Sequence, residues 1–358
     1  MTNYLLAGGG TAGHVNPLLA LADLIKDQSK ANHVYALGTS EGLEAKLVPE
    51  RGYPLLIVPR LPMPRKLNSY AVRFPRAFAD SVKKVEAYIK QFEIDVVVGF
   101  GGYASAPAYR AARNLNVPYV VHEANALPGY ANRVGSRNAS AVATTFRSTK
   151  LKNAVHVGMP LRPEIVALNR AKIRDVAAKH LGLDSKLPTL LVTGGSLGAK
   201  RINDTLAACR TQLTAAGIQV LHILGDRSDL PPLSDGLYHR LTYCERMEYA
   251  LSVADFAVSR AGAATVSEFA AVGLPAVFVP YPVGNGEQKF NIQELVNSGA
   301  AMTIEDANFT PNYVLETLIP VIRDKKRLEQ MSIRTRALGI GDGAERLLSL
   351  VNGVLKNK

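Results

Sequence analysis

Gly8, Gly10 and Gly13 stand in a G-x-G-x-x-G spacing directly behind an apolar run at residues 4–7, and His14 follows at once. A glycine-rich turn between a strand and a helix aims backbone N–H groups at one point, which suits an anion or an oxygen gathering negative charge. An imidazole beside it, with an ordinary pKa near ~6.5, can take the proton of a hydroxyl nucleophile at neutral pH. The positive end of the helix would favour its neutral form. Capping the helix or positioning a phosphate is the competing role for His14. The same glycines match a dinucleotide fingerprint, but that chemistry asks for an acidic residue ~20 positions on, at the end of the second strand. Here residues 33–37 run into Gly38, Thr39 and Ser40, with Glu41 opening the next helix, so NAD is not expected.

A second glycine loop, residues 194–198 (GGSLG), follows another apolar run and offers a further anion site around Ser196. A third helix start is expected at residues 261–265. Glu268, one turn into that helix, is a pure acceptor that could hold two ribose hydroxyls, or else a solvated helix glutamate. Gln288 and Asn291, three apart, share a helix face and could read a sugar or a base edge. No Asp-x-Asp occurs in the chain, so a metal-clamped diphosphate is not expected and no metal or other cofactor is called for. Helix termini and an arginine such as Arg162 would neutralise a leaving diphosphate instead.

Loops of this kind need strands to feed them. Short apolar, β-rich runs at residues 4–7, 33–37, 54–58, 94–98, 119–122 and 141–144 alternate with helical patterns at 17–28, 70–91 and 106–114. The rhythm restarts beyond residue 160, with strands expected at 189–193, 218–224, 255–258, 276–279 and 301–304. Strand–helix alternation means parallel sheets wound in βαβ units. The fold class is therefore α/β, with two Rossmann-like, doubly wound domains at residues 1–160 and 161–340 and a last helix at 343–355 expected to pack back on the first. A chain of 358 residues, 47% hydrophobic and 20% charged, is long enough for two such cores and too apolar for a disordered segment. No run approaches the ~20 apolar residues of a spanning helix, and no signal peptide is expected. Cys209 and Cys244 have no metal-ligand spacing and read as buried thiols.

The net charge of +12 is uneven. Residues 1–160 hold 19 Lys and Arg against 10 acids, and residues 161–358 hold 23 against 20. Much of the excess lies in one stretch, with Arg60, Arg65, Lys66, Arg73 and Arg76 interleaved with Leu61, Met63, Leu67, Tyr70 and Phe74, which are expected to be exposed. That mixture suits an anionic membrane surface, where each basic side chain contributes about 1 kcal/mol. A solvated helix face is the alternative. Nucleic acid is not the expected partner, because no zinc finger and no RNP aromatic pattern is present.

Seven segments then fall in order: residues 9–17 (GGTAGHVNP), 101–107 (GGYASAP), 122–133 (HEANALPGYANR), 158–162 (GMPLR), 194–199 (GGSLGA), 259–268 (SRAGAATVSE) and 284–291 (GNGEQKFN). Together they resemble the MurG family of peptidoglycan N-acetylglucosaminyltransferases, from about residue 4 to 350. The resemblance implies a GT-B fold, two Rossmann-like domains facing across a cleft, with the donor UDP-GlcNAc mainly on the C-terminal domain. The acceptor, lipid I, would dock against the N-terminal domain from the inner leaflet of the cytoplasmic membrane. An inverting transfer to the C4-hydroxyl of MurNAc would give lipid II. A peripheral place on the cytoplasmic face, among other cell-wall enzymes, follows from the same resemblance. A nucleotide-sugar epimerase of like architecture, or a non-catalytic sugar-nucleotide-binding subunit, is the alternative.

Carried over by position, Thr11, Ala12 and Gly13 would lie at the donor sugar and its diphosphate, with Asn125 and Arg162 also on the donor. Ser196 would take a phosphate, and Ala263, Ala264, Thr265, Val266, Ser267 and Glu268 the phosphates and ribose, Glu268 holding the ribose hydroxyls. Gln288 would meet the GlcNAc and the main chain of Cys244 the uracil. His14 becomes the leading candidate for the base, with Glu123 the second. Ala12 stands where the family usually has glycine, and Glu287 replaces a glutamine often found beside Gln288.

Overall fold

The computed structural model describes residues 1–64, 66, 68–283 and 285–356. Arg65 and Leu67 of the basic stretch, and Gly284 of the seventh segment, lie outside the described residues. The chain divides into two compact units, Met1–Arg162 with Gly341–Lys358, and Pro163–Ile340.

The first unit is built on β1 (Asn3–Ala7), β2 (His33–Gly38), β3 (Leu55–Ile57), β4 (Val96–Gly99), β5 (Tyr119–Glu123), β6 (Ala141–Thr144) and β7 (Ala154–His156). All seven run parallel in the order β3-β2-β1-β4-β5-β6-β7. β4 and β5 are buried along their whole length, as strands covered on both faces must be, which is why Val96–Val98 and Tyr119–Val121 read as apolar runs. The order reverses between β1 and β4, and a ligand site of such a sheet lies beyond the carboxyl ends of the strands at that switch point.

The second unit repeats the plan with β8 (Thr189–Thr193), β9 (Gln219–Ile223), β10 (Leu233–Asp235), β11 (Tyr238–Leu241), β12 (Phe256–Ser259), β13 (Ala276–Phe278) and β14 (Met302–Thr303). The order is β10-β11-β9-β8-β12-β13-β14, with its switch point between β8 and β12. One pair departs from the expected parallel sheet: β10 and β11 are antiparallel, with Leu233 opposite Arg240. The edge strand β10, LSD, and its neighbour β11, YHRL, each carry two polar residues in succession and so lack the apolar run that marked the other strands.

Three helices of the first unit matter for the site. The helix after β1, α1 (Ala12–Gln28), starts five residues before the expected position, and Pro17 sits inside it. An interior proline costs ~3 kcal/mol. Val15, Leu18, Leu21 and Ile25 are buried on the same helix, and each large apolar side chain so placed stabilises by ~1.5–3 kcal/mol. After β2 comes α2 (Glu44–Glu50), later than a start at Glu41. After β3 comes α3 (Ser69–Gln91), capped by Asn68, whose side chain accepts the Ala71 N–H at 3.0 Å. Tyr70, Phe74 and Phe78 follow one another at four-residue spacing on α3, their rings 6.0 Å apart. That row is half-buried, where Tyr70 and Phe74 were expected to be exposed. The closing helix, Gly343–Lys356, buries Leu347, Leu348 and Val351 in one core with Leu18, Leu21 and Ile25 of α1.

Candidate active site

The turn from β1 into α1 needs glycine at Gly10, where φ is +89°. Its backbone donor serves the chain itself. Glu44, at the start of α2, is fully buried, and its Oε2 accepts the Gly10 N–H at 2.7 Å. Oε1 accepts the Thr39 N–H at 2.9 Å and the Thr39 hydroxyl at 2.8 Å. A Cβ on Gly9, Gly38 or Gly42 would overlap this side chain, so three glycines from two loops form its socket. Burial pushes the Glu44 carboxyl up, but the hydrogen bonds from Gly10 and Thr39 outweigh it and hold the group below the usual range. The expected anion-binding bowl is therefore filled in part by an internal carboxylate. Sequence reasoning passed over Glu44; the signal was an acid a few residues after the second strand, where a dinucleotide fold would also place one.

His14 lies in the first turn of α1, half-buried, with Nδ1 3.0 Å from the Gly9 carbonyl and 3.4 Å from the Thr11 hydroxyl. A carbonyl oxygen only accepts, so Nδ1 carries the hydrogen and Nε2 of the neutral ring keeps its lone pair. The loop after β4 closes on this ring. Gly101 and Gly102 have φ of +93° and +80°. A Cβ on Gly101 would stand 3.2 Å from His14 Nε2, and one on Gly102 would stand 2.6 Å from the Gly9 oxygen. The Ser105 hydroxyl accepts the Gly101 N–H at 3.0 Å and lies 2.9 Å from the Ala7 carbonyl, tying the two loops at the switch point.

His14 borders a cavity of about 1000 Å³ within the first unit, walled by Phe74, Phe78 and Val82 of α3 and by helices α4 (Ser105–Asn114) and α5 (Tyr130–Gly135). Glu123 and Asn125 line it too. Glu123, the second candidate for the base, is buried and spends its carboxylate on structure. Oε1 accepts the Asn125 N–H at 2.8 Å, and Oε2 accepts from the Gly129 N–H and the Asn132 side chain, both at 3.0 Å. Three donors of the loop it shapes thus take up most of its acceptor positions. His122 beside it is fully buried, donates from Nε2 to the Gly158 carbonyl at 3.0 Å, and is pushed by burial down to about 4.

In the second unit the loops after β8 and β12 lie at the ends of adjacent strands. Gly195 and Gly198 adopt positive φ around half-buried Ser196. The helix Ala263–Val272 starts from Gly262, within the expected stretch. Ala264, Thr265, Ser267 and Glu268 are half-buried, whereas the side chains of Ala263 and Val266 are buried, so a ligand would meet only their main chain. Gln288 accepts through Oε1 from the Ala261 N–H at 3.1 Å and the Tyr281 N–H at 2.9 Å. Asn291 is buried and donates to the Ala261 carbonyl at 3.1 Å. The expected pair of sugar readers is thus a clamp on Ala261, and a sugar contact from Gln288 would run through Nε2. Cys244 is half-buried, unlike Cys209, which is buried as expected. Arg162 is half-buried at the end of the first unit.

Of the basic stretch, Met63, Lys66, Arg73 and Arg76 are exposed, and Leu61 and Phe74 turn toward the cavity. Arg60 is exposed too, with contacts to Glu41 at 3.5 Å and over the Tyr103 ring at 5.2 Å. Among the described residues no helix is long and apolar enough to cross a membrane.

Residues 4–144 match the glycosyltransferase family 28 N-terminal domain, and residues 189–347 match the glycosyltransferase family 28 C-terminal domain. The chain is 53% identical to the UDP-N-acetylglucosamine–N-acetylmuramyl-(pentapeptide) pyrophosphoryl-undecaprenol N-acetylglucosamine transferase of Leifsonia xyli subsp. xyli, over 98% of both chains. It is 45% identical to the transferase of the same name from Streptomyces coelicolor, over 98% of this chain and 97% of the relative. The crystal structure of Acinetobacter baumannii MurG superposes with a TM-score of 0.80 at 28% identity, covering 99% of this chain and 100% of that one. Two matched domains in order, backed by relatives aligned end to end, make the chain a member of glycosyltransferase family 28, in its MurG group of N-acetylglucosamine transferases.

Proposed function

We propose that the chain moves GlcNAc from UDP-GlcNAc to the C4-hydroxyl of MurNAc in lipid I, giving lipid II with inversion, and that His14 is the base. The single observation behind the base is its fixed tautomer: the Nδ1–H···O=C bond to Gly9 leaves the Nε2 lone pair to a substrate hydroxyl. The C4 oxygen forms its bond to the anomeric carbon as its proton passes to Nε2. The bond from that carbon to the UDP oxygen breaks, and its electron pair leaves on the diphosphate. The amides of Thr11, which precedes α1, and of Ala12 and Gly13 in its first turn, the N-terminus of the helix Ala263–Val272, Ser196 and Arg162 stabilise that charge. Glu268 holds the ribose, Gln288 the GlcNAc, Asn125 the donor sugar, and the Cys244 main chain the uracil. This charge stabilisation needs no metal.

The acceptor enters the cavity beside His14. Its aromatic wall on α3 leads to exposed Val72 and Met63, 81% and 49% accessible, with Lys66, Arg73 and Arg76 beside them. That combination suits a lipid-linked substrate presented at an anionic membrane face, on which the protein sits peripherally. Replacing the base tests the reading. His14→Ala should lower turnover by ~10²–10⁴ with donor affinity little changed. Turnover at the wild-type rate rules the base role out.

A further inference from the structure

We infer that Glu44 is a positioning residue for His14, acting through the Gly9–Gly10 peptide group. The inference rests on the reading of His14 as the base. The Gly10 N–H that Glu44 binds and the Gly9 carbonyl that His14 binds belong to one amide. In a trans peptide they point in opposite directions, so the carboxylate sits at one end of the amide dipole and the imidazole at the other. No peptide bond among the described residues is cis. An ionised acceptor at 2.7 Å polarises the amide and makes its oxygen a stronger acceptor, because hydrogen bonds in series reinforce one another.

A peptide thus stands where a serine-hydrolase triad would put its carboxylate directly on the histidine. It holds one tautomer, fixes the ring plane and steadies the imidazolium formed when Nε2 takes the acceptor proton. The proton stays on His14, Nδ1–H stays on Gly9, and Glu44 stays ionised throughout.

The local sequence is arranged for this. Gly9, Gly38 and Gly42 clear the space for a buried carboxylate, and Thr39 fixes its other oxygen with two donors. Gly102 lets the β4 loop close on the Gly9 carbonyl from the far side. A glutamate that only filled a gap would need neither the charge nor this aim.

The test is nitrogen-15 NMR of the full chain with labelled histidine, the His14 signals being assigned by their loss in His14→Gln. The wild type should show a protonated Nδ1 and a bare Nε2, and an Nε2–H tautomer overturns the inference. Glu44→Gln should give mixed His14 tautomers and a kcat lower by ~10–100-fold, with UDP-GlcNAc Kd within threefold of wild type. A pure Nδ1–H tautomer in that variant, or kcat and Kd worsening together, would mean that Glu44 merely folds the loop. Should Glu44→Gln not fold, Glu44→Asp keeps the charge but withdraws it by one methylene, and it carries the same readouts; wild-type tautomer and kcat there also overturn the inference. If His14→Ala keeps its turnover, the base reading fails on its own, and the spectra still decide whether Glu44 orients the ring.

Discussion

Two carboxylates serve the loops around His14, and both are bound to backbone N–H groups of those loops. His14 could be found from sequence because it stands directly behind a glycine turn. Glu44 left only a weak trace, an acid a few residues after the second strand; its aim at Gly10 depends on Gly9, Gly38 and Gly42 meeting in space. Glu123 stands in a conspicuous motif, but that its oxygens accept from the Asn125 and Gly129 N–H groups and from Asn132 shows only in the fold. Buried histidines give a prediction at this scale. Burial pushes His122 down to about 4 and His222 down to about 3. The unfolded chain takes up these protons near ~6.5 while the folded chain does not. Stability is therefore full above ~6.5 and falls as pH drops toward ~4.5, before the carboxylates contribute. The urea midpoint should decline across that window. His122→Phe should be less stable at pH 7, through the lost bond to Gly158, yet show a shallower decline. A midpoint flat from pH 6.5 to 4.5 in the wild type contradicts the burial argument.

At the scale of elements, the strands that sequence patterns found include all those buried along their whole length, such as β4, β5, β8 and β12, and also the edge strands β3 and β14. The strands that were missed, β7, β10 and β11, lie toward sheet edges, where one face meets water and the apolar signal thins. The start of α1 was misplaced because Pro17 reads as a first-turn residue, whereas helix burial overrides its cost. The basic character of α3 was plain from composition, but its aromatic row was not, since a four-residue repeat only shows which side chains share a face. Lys66→Glu, Arg73→Glu and Arg76→Glu together should weaken binding to vesicles containing phosphatidylglycerol by at least tenfold, at about 1 kcal/mol for each charge removed. UDP-GlcNAc affinity should stay unchanged. Vesicle binding equal to that of the wild type would make this helix face an ordinary solvated one.

For the whole molecule, two units wound alike apart from the antiparallel strand β10 in the second, each with its loops at its own switch point, account for the twin glycine motifs seen in the sequence. The fold class and family could be read because seven segments kept their order along the chain, and the family 28 domains cover all of them but residues 158–162. The chemistry of each loop was harder to read, because side chains such as Glu44, Gln288 and Asn291 satisfy main-chain groups that the sequence shows only as glycine and alanine. The most direct measurement is UDP release from UDP-GlcNAc in excess EDTA, with and without a lipid I analogue, for the wild type and His14→Ala. Release should require the acceptor, survive EDTA and fall by ~10²–10⁴ in the variant. Release that ignores the acceptor, stops on metal removal, or runs at the same rate without His14 would contradict a metal-independent transfer with His14 as its base.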